Sequence, residues 1–402
     1  MSRDSGTVLY VYPRFNDARD PSAGGAENRT SHLLREAERA YSVSLLQAEP
    51  PSASTPESDS EDTFFERLTP IFLTDLNPSY FATLAALLRK NSYDVIQVEC
   101  LGGILTVLFL RRLLSPDSAV VYGSHNVESE RVESVLDPDL PLYKRLGAPV
   151  VIPLLERLGV RYADHVIAVS DSDRDRFCER FSIPRSKISV VPSGTDPVDT
   201  DQLDSRRATR TKRGITEDEV CLVFHGTFEN HANREAVANI RRRILPKLSD
   251  SGTDVTVFVA GRGMSEVDDE RIVSVGFVPD LHSFLHSMDI AIVPITSGGG
   301  TKLKVFDYMS VGLPIVATRK AIEGIDVLNG EEAIVLDGVG PKFAAATETL
   351  VNDPGRREQL GTRSKQLAES TYSWESIGET LRSAYANVTG DVSRTEPAMS
   401  AP

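Results

Sequence analysis

The sequence predicts an α/β protein built from two doubly wound domains, and three observations carry that expectation. The chain has 402 residues, too many for one ordinary core and suited to two domains of roughly 150 to 200 residues. Short apolar, β-branched runs alternate with helical patterns along both halves, the order that builds parallel sheets. The series also restarts. After the polar stretch "PVDTDQLDSRRATRTKRGIT" (197–216), a buried strand in "EVCLVFHGTF" opens a second set. Domains 1–196 and 197–371 are therefore expected to face each other across a cleft, with ligands beyond the carboxyl ends of the strands.

In the first half, "TVLYVYP" reads as a buried strand. The loop "RFNDARDPSAGGAENRT", a helix in "SHLLREAERA" and the strand "YSVSLLQ" follow. Residues 50–63, "PPSASTPESDSEDT", are polar and proline-rich and predict a flexible loop. Next come a helix over 78–90, the strand "YDVIQVEC", a helix over 103–114 and the strand "SAVVYGSH". A long helix over 144–162, the strand "DHVIAVS", a further helix and "KISVVPSGTD" close this half.

The second half continues with a helix over 233–248, strands "DVTVFVAG" and "IVSVGFV", and a helix over 280–287. Strand "DIAIVP", a helix within "TKLKVFDYMS", strands "PIVAT" and "EAIVL", and helices near 341–352 and 355–370 complete it. The segment 372–388 holds the only Trp, with Trp374, Ile377, Leu381 and Tyr385 at helical spacing, and reads as a helix docking elsewhere. The tail 389–402 is expected to be disordered.

Composition excludes several classes. A net charge of −14 argues against a nucleic-acid scaffold, which needs a basic face. Cys100, Cys178 and Cys221 form no CxxC pair, so neither a disulfide framework nor a zinc site is expected, and each reads as a buried thiol. Basic residues comprise 34 Arg and only 10 Lys, an acidic, lysine-poor surface that a salt-rich cytoplasm or GC-rich coding would equally explain. No apolar run reaches the roughly 18 residues of a membrane span, and the start shows no signal-peptide pattern. The expectation is a cytoplasmic protein that touches the inner membrane face at most peripherally.

Chemistry concentrates in "SGGGTKLKVFDYMSVGLPIVA" (297–317). Gly298, Gly299 and Gly300 follow a strand and let a ligand approach the backbone. The next N–H groups open an uncapped helix, which favours anions, and Lys302 and Lys304 add positive charge. Asp307, about a turn and a half into that helix, suits the vicinal hydroxyls of a ribose. The set describes a nucleotide diphosphate site; the bland alternative is a loop followed by a solvated Lys304–Asp307 pair. No GxxxxGK[ST] occurs, and no GxGxxG follows the first strand.

This stretch, with "FHGTFENHANREAV", "FVAGRG", "VGFVPDL" and the terminal helix, resembles the nucleotide-sugar half of family 4 glycosyltransferases of the GT-B fold. "SAGGAENRT", "GSHNVESER" and "HVIAVSDSDRDRF" extend the resemblance into the first half. It implies a terminal helix crossing back to the first domain and a ribose-binding acid at Asp307. The family motif has two Glu separated by seven residues; here the first falls on Gly299 and the second is shortened to Asp307. The basic residue usual after the second domain's first strand is also missing, Asn233 and Arg234 standing nearby, so phosphate charge falls on Lys302 and Lys304. Gly226, Arg262, Gly299, Gly300 and Thr301 are expected to line the donor.

In the first half, Gly24 and Gly25 are expected in the loop after the first strand, beside donor phosphates and acceptor. His125 ends the strand "AVVYGSH", and the resemblance gives it contact with the transferred sugar. Asn126, Glu128 and Glu99 are acceptor-side candidates. The implied reaction is retaining transfer from a nucleotide diphosphate sugar to a sugar, lipid-linked or small-molecule acceptor. It follows a front-face mechanism in which His125 and Lys302 are the catalytic candidates. No DxD motif is present, and neither a metal nor a cofactor is expected. A nucleotide-sugar epimerase and a non-catalytic nucleotide-sugar binder are the alternatives.

Overall fold

A computed structural model describes residues 6–14, 17–21, 24–48, 61–64, 71–134, 142–264 and 267–390. The chain divides into two compact units, Met1–Ser193 together with Trp374–Pro402, and Gly194–Ser373.

In the first unit, β1 (Thr7–Tyr12), β2 (Ser42–Ala48), β3 (Glu61–Phe64), β4 (Val95–Glu99), β5 (Ala119–Gly123), β6 (His165–Ala168) and β7 (Ile188–Val190) form one sheet. Every pairing is parallel, and the order is β3-β2-β1-β4-β5-β6-β7. Helices α1 (Gly25–Glu38), α2 (Pro78–Lys90), α3 (Ile104–Leu114), α4 (Glu128–Ser134), α5 (Leu142–Tyr162) and α6 (Asp171–Phe181) connect the strands. Val8 to Tyr12 are all fully buried, because helices cover both faces of a parallel sheet. The strand therefore reads as an unbroken apolar run rather than an alternation.

The helix Trp374–Thr389 completes this unit. Its Trp374 stacks on His32 of α1 with ring centroids 4.5 Å apart, and Ile377, Leu381 and Tyr385 join the core of Val8, Leu33 and Val121. Tyr385 donates its hydroxyl to Gln97 Oε1 at 2.5 Å. Gly378 permits the approach, since a Cβ there would stand 2.9 Å from the Cβ of Glu36.

The second unit holds α7 (Arg206–Lys212), α8 (His231–Asn239), α9 (Leu245–Asp250), α10 (Leu281–His286), α11 (Lys304–Ser310), α12 (Pro341–Asn352) and α13 (Pro354–Thr371). Its parallel sheet runs β10-β9-β8-β11-β12-β13. The strands are β8 (Cys221–His225), β9 (Thr256–Ala260), β10 (Ile272–Gly276), β11 (Ile290–Val293), β12 (Ile315–Thr318) and β13 (Ile334–Leu336). In both sheets the strand order reverses once, between β1 and β4 and between β8 and β11. Ligands of doubly wound sheets bind at such reversals, outside the carboxyl ends of the strands.

Several expectations change. Residues 61–63, assigned to the loop over 50–63, belong to an edge strand, Glu61–Phe64, paired by backbone with Leu45–Ala48; residues 50–60 lie outside the described set. Helix α1 starts at Gly25, so only Gly24 belongs to the loop. Helix α4 was not anticipated. The buried Glu156 of α5 caps it, accepting from the amides of Glu128 at 2.7 Å and Ser129 at 2.9 Å. The helix expected over 233–248 is α8 and α9 joined by a π-helical turn at Ile240–Ile244. Only Cys221 is a buried thiol, Cys100 and Cys178 being partly exposed. The final helix runs to Thr389, and residues 391–402 of the proposed tail lie outside the described set.

Candidate active site

The second unit gathers its candidates where β8 and β11 diverge. Gly226 follows β8 with φ 156°, and a Cβ on it would stand 2.6 Å from Lys304 Nζ and 2.7 Å from Asn233 Nδ2. Glycine is needed because the lysine occupies that space. Lys304 donates to Asn233 Oδ1 at 2.5 Å, with its ammonium 4.2 Å from the ring centre of Phe224. Asn233 is itself fixed by donation to the Thr227 carbonyl at 2.7 Å. Burial pulls the lysine down to about 7, an effect Asp307 opposes and Lys302 reinforces.

The glycine loop adopts the backbone its composition suggested at two positions, Gly298 with φ 87° and Gly300 with φ 69°. Lys302 folds back and donates to the carbonyls of Gly299 at 2.9 Å and Gly300 at 2.6 Å. Glu235 of α8 accepts from the hydroxyls of Thr296 and Ser297, tying the loop's entry to the neighbouring helix. The Thr301 hydroxyl is buried and has no hydrogen-bond partner among the described residues. Such an orphan donor suits an anionic oxygen. Arg262 is exposed and lies over the Phe277 ring at 4.5 Å.

Helix α11 begins at Lys304, with no side-chain cap from Leu303, so Asp307 sits in the first turn rather than a turn and a half in. The solvated Lys304–Asp307 pair does not form. Asp307 Oδ2 instead accepts from His225 Nε2 at 3.0 Å, and its side chain remains 32% exposed. His225 and Asn233 are the participants the sequence reading passed over. His225 follows the run "VCLVF" and faces a cleft only if the strand ends there, which the sequence leaves open, while Asn233 only marked the place of an absent cation. Arg234, beside it, is spent on the carbonyls of Phe228 and Glu229.

The first unit gathers its own cluster at the β1–β4 reversal. His125 Nε2 lies 2.6 Å from Glu99 Oε2, at the ends of neighbouring strands. Glu99 Oε1 accepts from Tyr10 at 2.7 Å and also from Gln97 Nε2. Burial alone would raise Glu99, but His125, Arg29 and Tyr10 bring it down to about 2. Burial likewise opposes charge on His125, yet Cys100 and Glu99 push it up to about 10. At neutral pH the pair is an imidazolium and a carboxylate. Asn126 contacts Glu128 at 3.4 Å, close beside them in sequence. Gly24 caps α1, and a Cβ there would meet the carboxylate of Glu27 at 2.7 Å; Glu27 in turn accepts from Tyr12 at 2.8 Å. Gly25 is the exposed first residue of α1. Among the described residues no group of three His, Cys, Asp or Glu is placed to hold a metal ion.

Residues 23–199 match the family described as "Glycosyltransferase Family 4", and residues 219–353 match "Glycosyl transferases group 1". D-inositol 3-phosphate glycosyltransferase of Kribbella flavida is 26% identical over 343 residues, 78% of this chain and 77% of that protein. Its namesake from Rhodococcus jostii is 24% identical over 67% of this chain, which spans 61% of that relative's length. Alpha-D-kanosaminyltransferase of Streptomyces kanamyceticus is 23% identical over 61% of this chain and 66% of that protein. Among solved structures, Anabaena HepE in complex with UDP superposes with a TM-score of 0.70 at 14% identity, covering 94% of this chain and 99% of that one. Sucrose-phosphate synthase from Thermosynechococcus elongatus gives 0.70 at 16% identity, covering 96% and 99%. Both family matches, together spanning most of the sequence, and two Rossmann-like units with these neighbours lead to one assignment: the chain belongs to glycosyltransferase family 4, with the GT-B fold, and is a glycosyltransferase.

Proposed function

We propose that the protein transfers a hexosyl group, with retention at the anomeric carbon, from a nucleotide diphosphate sugar to an acceptor hydroxyl in glycan or glycoconjugate biosynthesis. The observation that carries this reading is the convergence of Lys304, Gly226 and the orphan Thr301 hydroxyl with Asp307 at the β8–β11 reversal. Cation, open backbone and hydroxyl suit a diphosphate, and the partly exposed carboxylate suits a ribose. That the HepE structures hold UDP and UDP-glucose supports the same assignment.

On this reading the second unit stabilises the leaving diphosphate. Lys304 and Lys302 each offer a charge-assisted hydrogen bond of about 1–3 kcal/mol. That preference grows as the glycosidic bond breaks and charge collects on the phosphate oxygen. The departing oxygen then takes the acceptor proton on the same face, so no separate general base is required. His125, an imidazolium held by Glu99, is the group assigned to the transferred sugar. Mixing the protein with UDP-, GDP- and ADP-sugars and measuring nucleotide diphosphate release tests this directly. Release that depends on an acceptor hydroxyl is expected. Epimerised donor without release would make the protein an epimerase, and binding without product would make it a binder.

The acceptor side is proposed to meet a lipid-linked acceptor at the cytoplasmic membrane surface, with the protein bound peripherally. Core packing accounts for Leu155 and Val160 of α5, but Val150 and Leu154 are exposed, as are Phe81 of α2 and Phe109 and Leu113 of α3. Arg112, Arg157 and Arg161 are exposed on the same helices of an otherwise acidic protein. Among the described residues no helix is long and apolar enough to cross a membrane. Sedimentation with vesicles containing anionic lipid is the test; equal binding to neutral and anionic vesicles, or to none, would reject it.

A further inference from the structure

His225 has no assigned role, yet it is built into the donor site. It ends β8, is 8% exposed, and its backbone N–H donates to the Tyr308 hydroxyl at 2.9 Å. Its ring stands edge-on to the Tyr308 ring, centroids 4.8 Å apart and planes at 83°. Both constraints come from the residue next to Asp307, so the imidazole and the carboxylate are held by one turn of α11. Among the described residues the ring has a single hydrogen-bond partner, Asp307 Oδ2 at 3.0 Å, while Nδ1 is buried without one. A buried imidazole facing a carboxylate through one nitrogen carries its proton there, so Nε2–H donates and Nδ1 keeps a lone pair.

We propose that His225 is a positioning residue for the donor's ribose. Its Nε2–H holds one oxygen of Asp307 so that the other is presented to the vicinal hydroxyls. The inference rests on the donor-site reading and deepens it. An aspartate is one methylene shorter than the glutamate of the family motif and cannot reach as far. Fixing its rotamer recovers part of what the shorter side chain gives up, because the ordering is already complete before the ligand arrives. Burial also lowers the imidazole, with Asp307 opposing and Lys304 and His282 adding to the effect. A neutral donor leaves the carboxylate's charge available to the diol, where an imidazolium would neutralise it.

The test compares substitutions that differ only in reach. A Gln amide nitrogen lies near the place of Nε2, and an Asn amide falls short of it. Calorimetric affinities for UDP, GDP and ADP identify the base, and the 2′-deoxy and 3′-deoxy forms of that nucleotide follow. The wild type should lose about tenfold or more in affinity on removal of a ribose hydroxyl. His225→Gln should keep that preference. His225→Asn should lower affinity for the ribonucleotide by about tenfold, leave the deoxy form within about twofold, and raise the donor KM while kcat holds. The His225→Asn effect should vanish in an Asp307→Asn background. Equal ribo-to-deoxy ratios in His225→Asn and wild type would overturn the inference while leaving the donor site standing. Failure of all three diphosphates to bind the wild type would overturn both.

Discussion

The Lys304 ammonium donates to the neutral amide oxygen of Asn233 across 2.5 Å rather than to a carboxylate. A buried cation so placed gives up its proton readily, at about 7, and a bound diphosphate would return the charge it lacks. The sign follows. As pH rises through about 7 the free lysine loses its proton, so binding must restore it and donor affinity falls. Near pH 8, about one unit above that midpoint, nucleotide diphosphate binding should take up a proton, read as calorimetric heats that vary with buffer ionisation enthalpy. Lys304→Met should abolish the variation. Heats independent of buffer in the wild type would place the phosphate away from Lys304.

Gly226→Ala should weaken donor binding by about tenfold or more, since the new methyl must displace Lys304 Nζ from the space it fills and φ 156° disfavours a side chain. Thermal melting run alongside separates this from unfolding. An unchanged donor Kd in a folded variant would show that the lysine tip has another way to the ligand.

Lys302→Ala should cost about 1–3 kcal/mol in donor binding and transfer, the range for a charge-assisted hydrogen bond. Unaltered steady-state kinetics would confine Lys302 to bracing the carbonyls of Gly299 and Gly300.

His125→Ala should lower kcat more than donor affinity. It should also cost stability, up to about 3–5 kcal/mol, because Glu99 stays buried with Arg29 and Tyr10 but loses the imidazolium hydrogen-bonded to it. Turnover at the wild-type rate would make His125 purely structural.

The same pair sets a pH window for stability. Glu99, depressed from 4.5 to about 2, contributes fully above 4.5 and loses its contribution as pH falls through about 2. His125, raised from 6.5 to about 10, contributes fully below 6.5 and loses it as pH rises through about 10. The pair's support is therefore complete between about 4.5 and 6.5 and declines on either side. Thermal melts against pH should show the alkaline decline in the wild type and a shallower one in His125→Gln. Identical slopes would contradict the ion pair.

Much of this was legible in order along the chain. β1 and β8 were readable because burial on both faces leaves their apolar runs unbroken. The glycine loop was readable because Gly298 and Gly300 occupy backbone that other residues avoid. What escaped depends on partners distant in sequence. Asp307 finds His225 from 82 positions away, and Lys304 finds Asn233 from 71. Neither pairing leaves a local pattern; the sequence offers only a diphosphate-and-ribose site or, as the alternative, a solvated Lys304–Asp307 contact. Glu61–Phe64 escaped for another reason: its polar composition resembles a loop, and its strand character comes from backbone pairing with β2, to which side-chain type is blind.

Trp374, Ile377, Leu381 and Tyr385 belong to the core around Val8 and Val121, yet they leave a ribosome only after the whole of Gly194–Ser373. The half made first must wait, part of one sheet face uncovered, until translation has passed through Gly194–Ser373. A premature stop just before Trp374 would thus damage the beginning of the protein, and residues 1–193 expressed alone would carry an apolar surface without the helix that covers it.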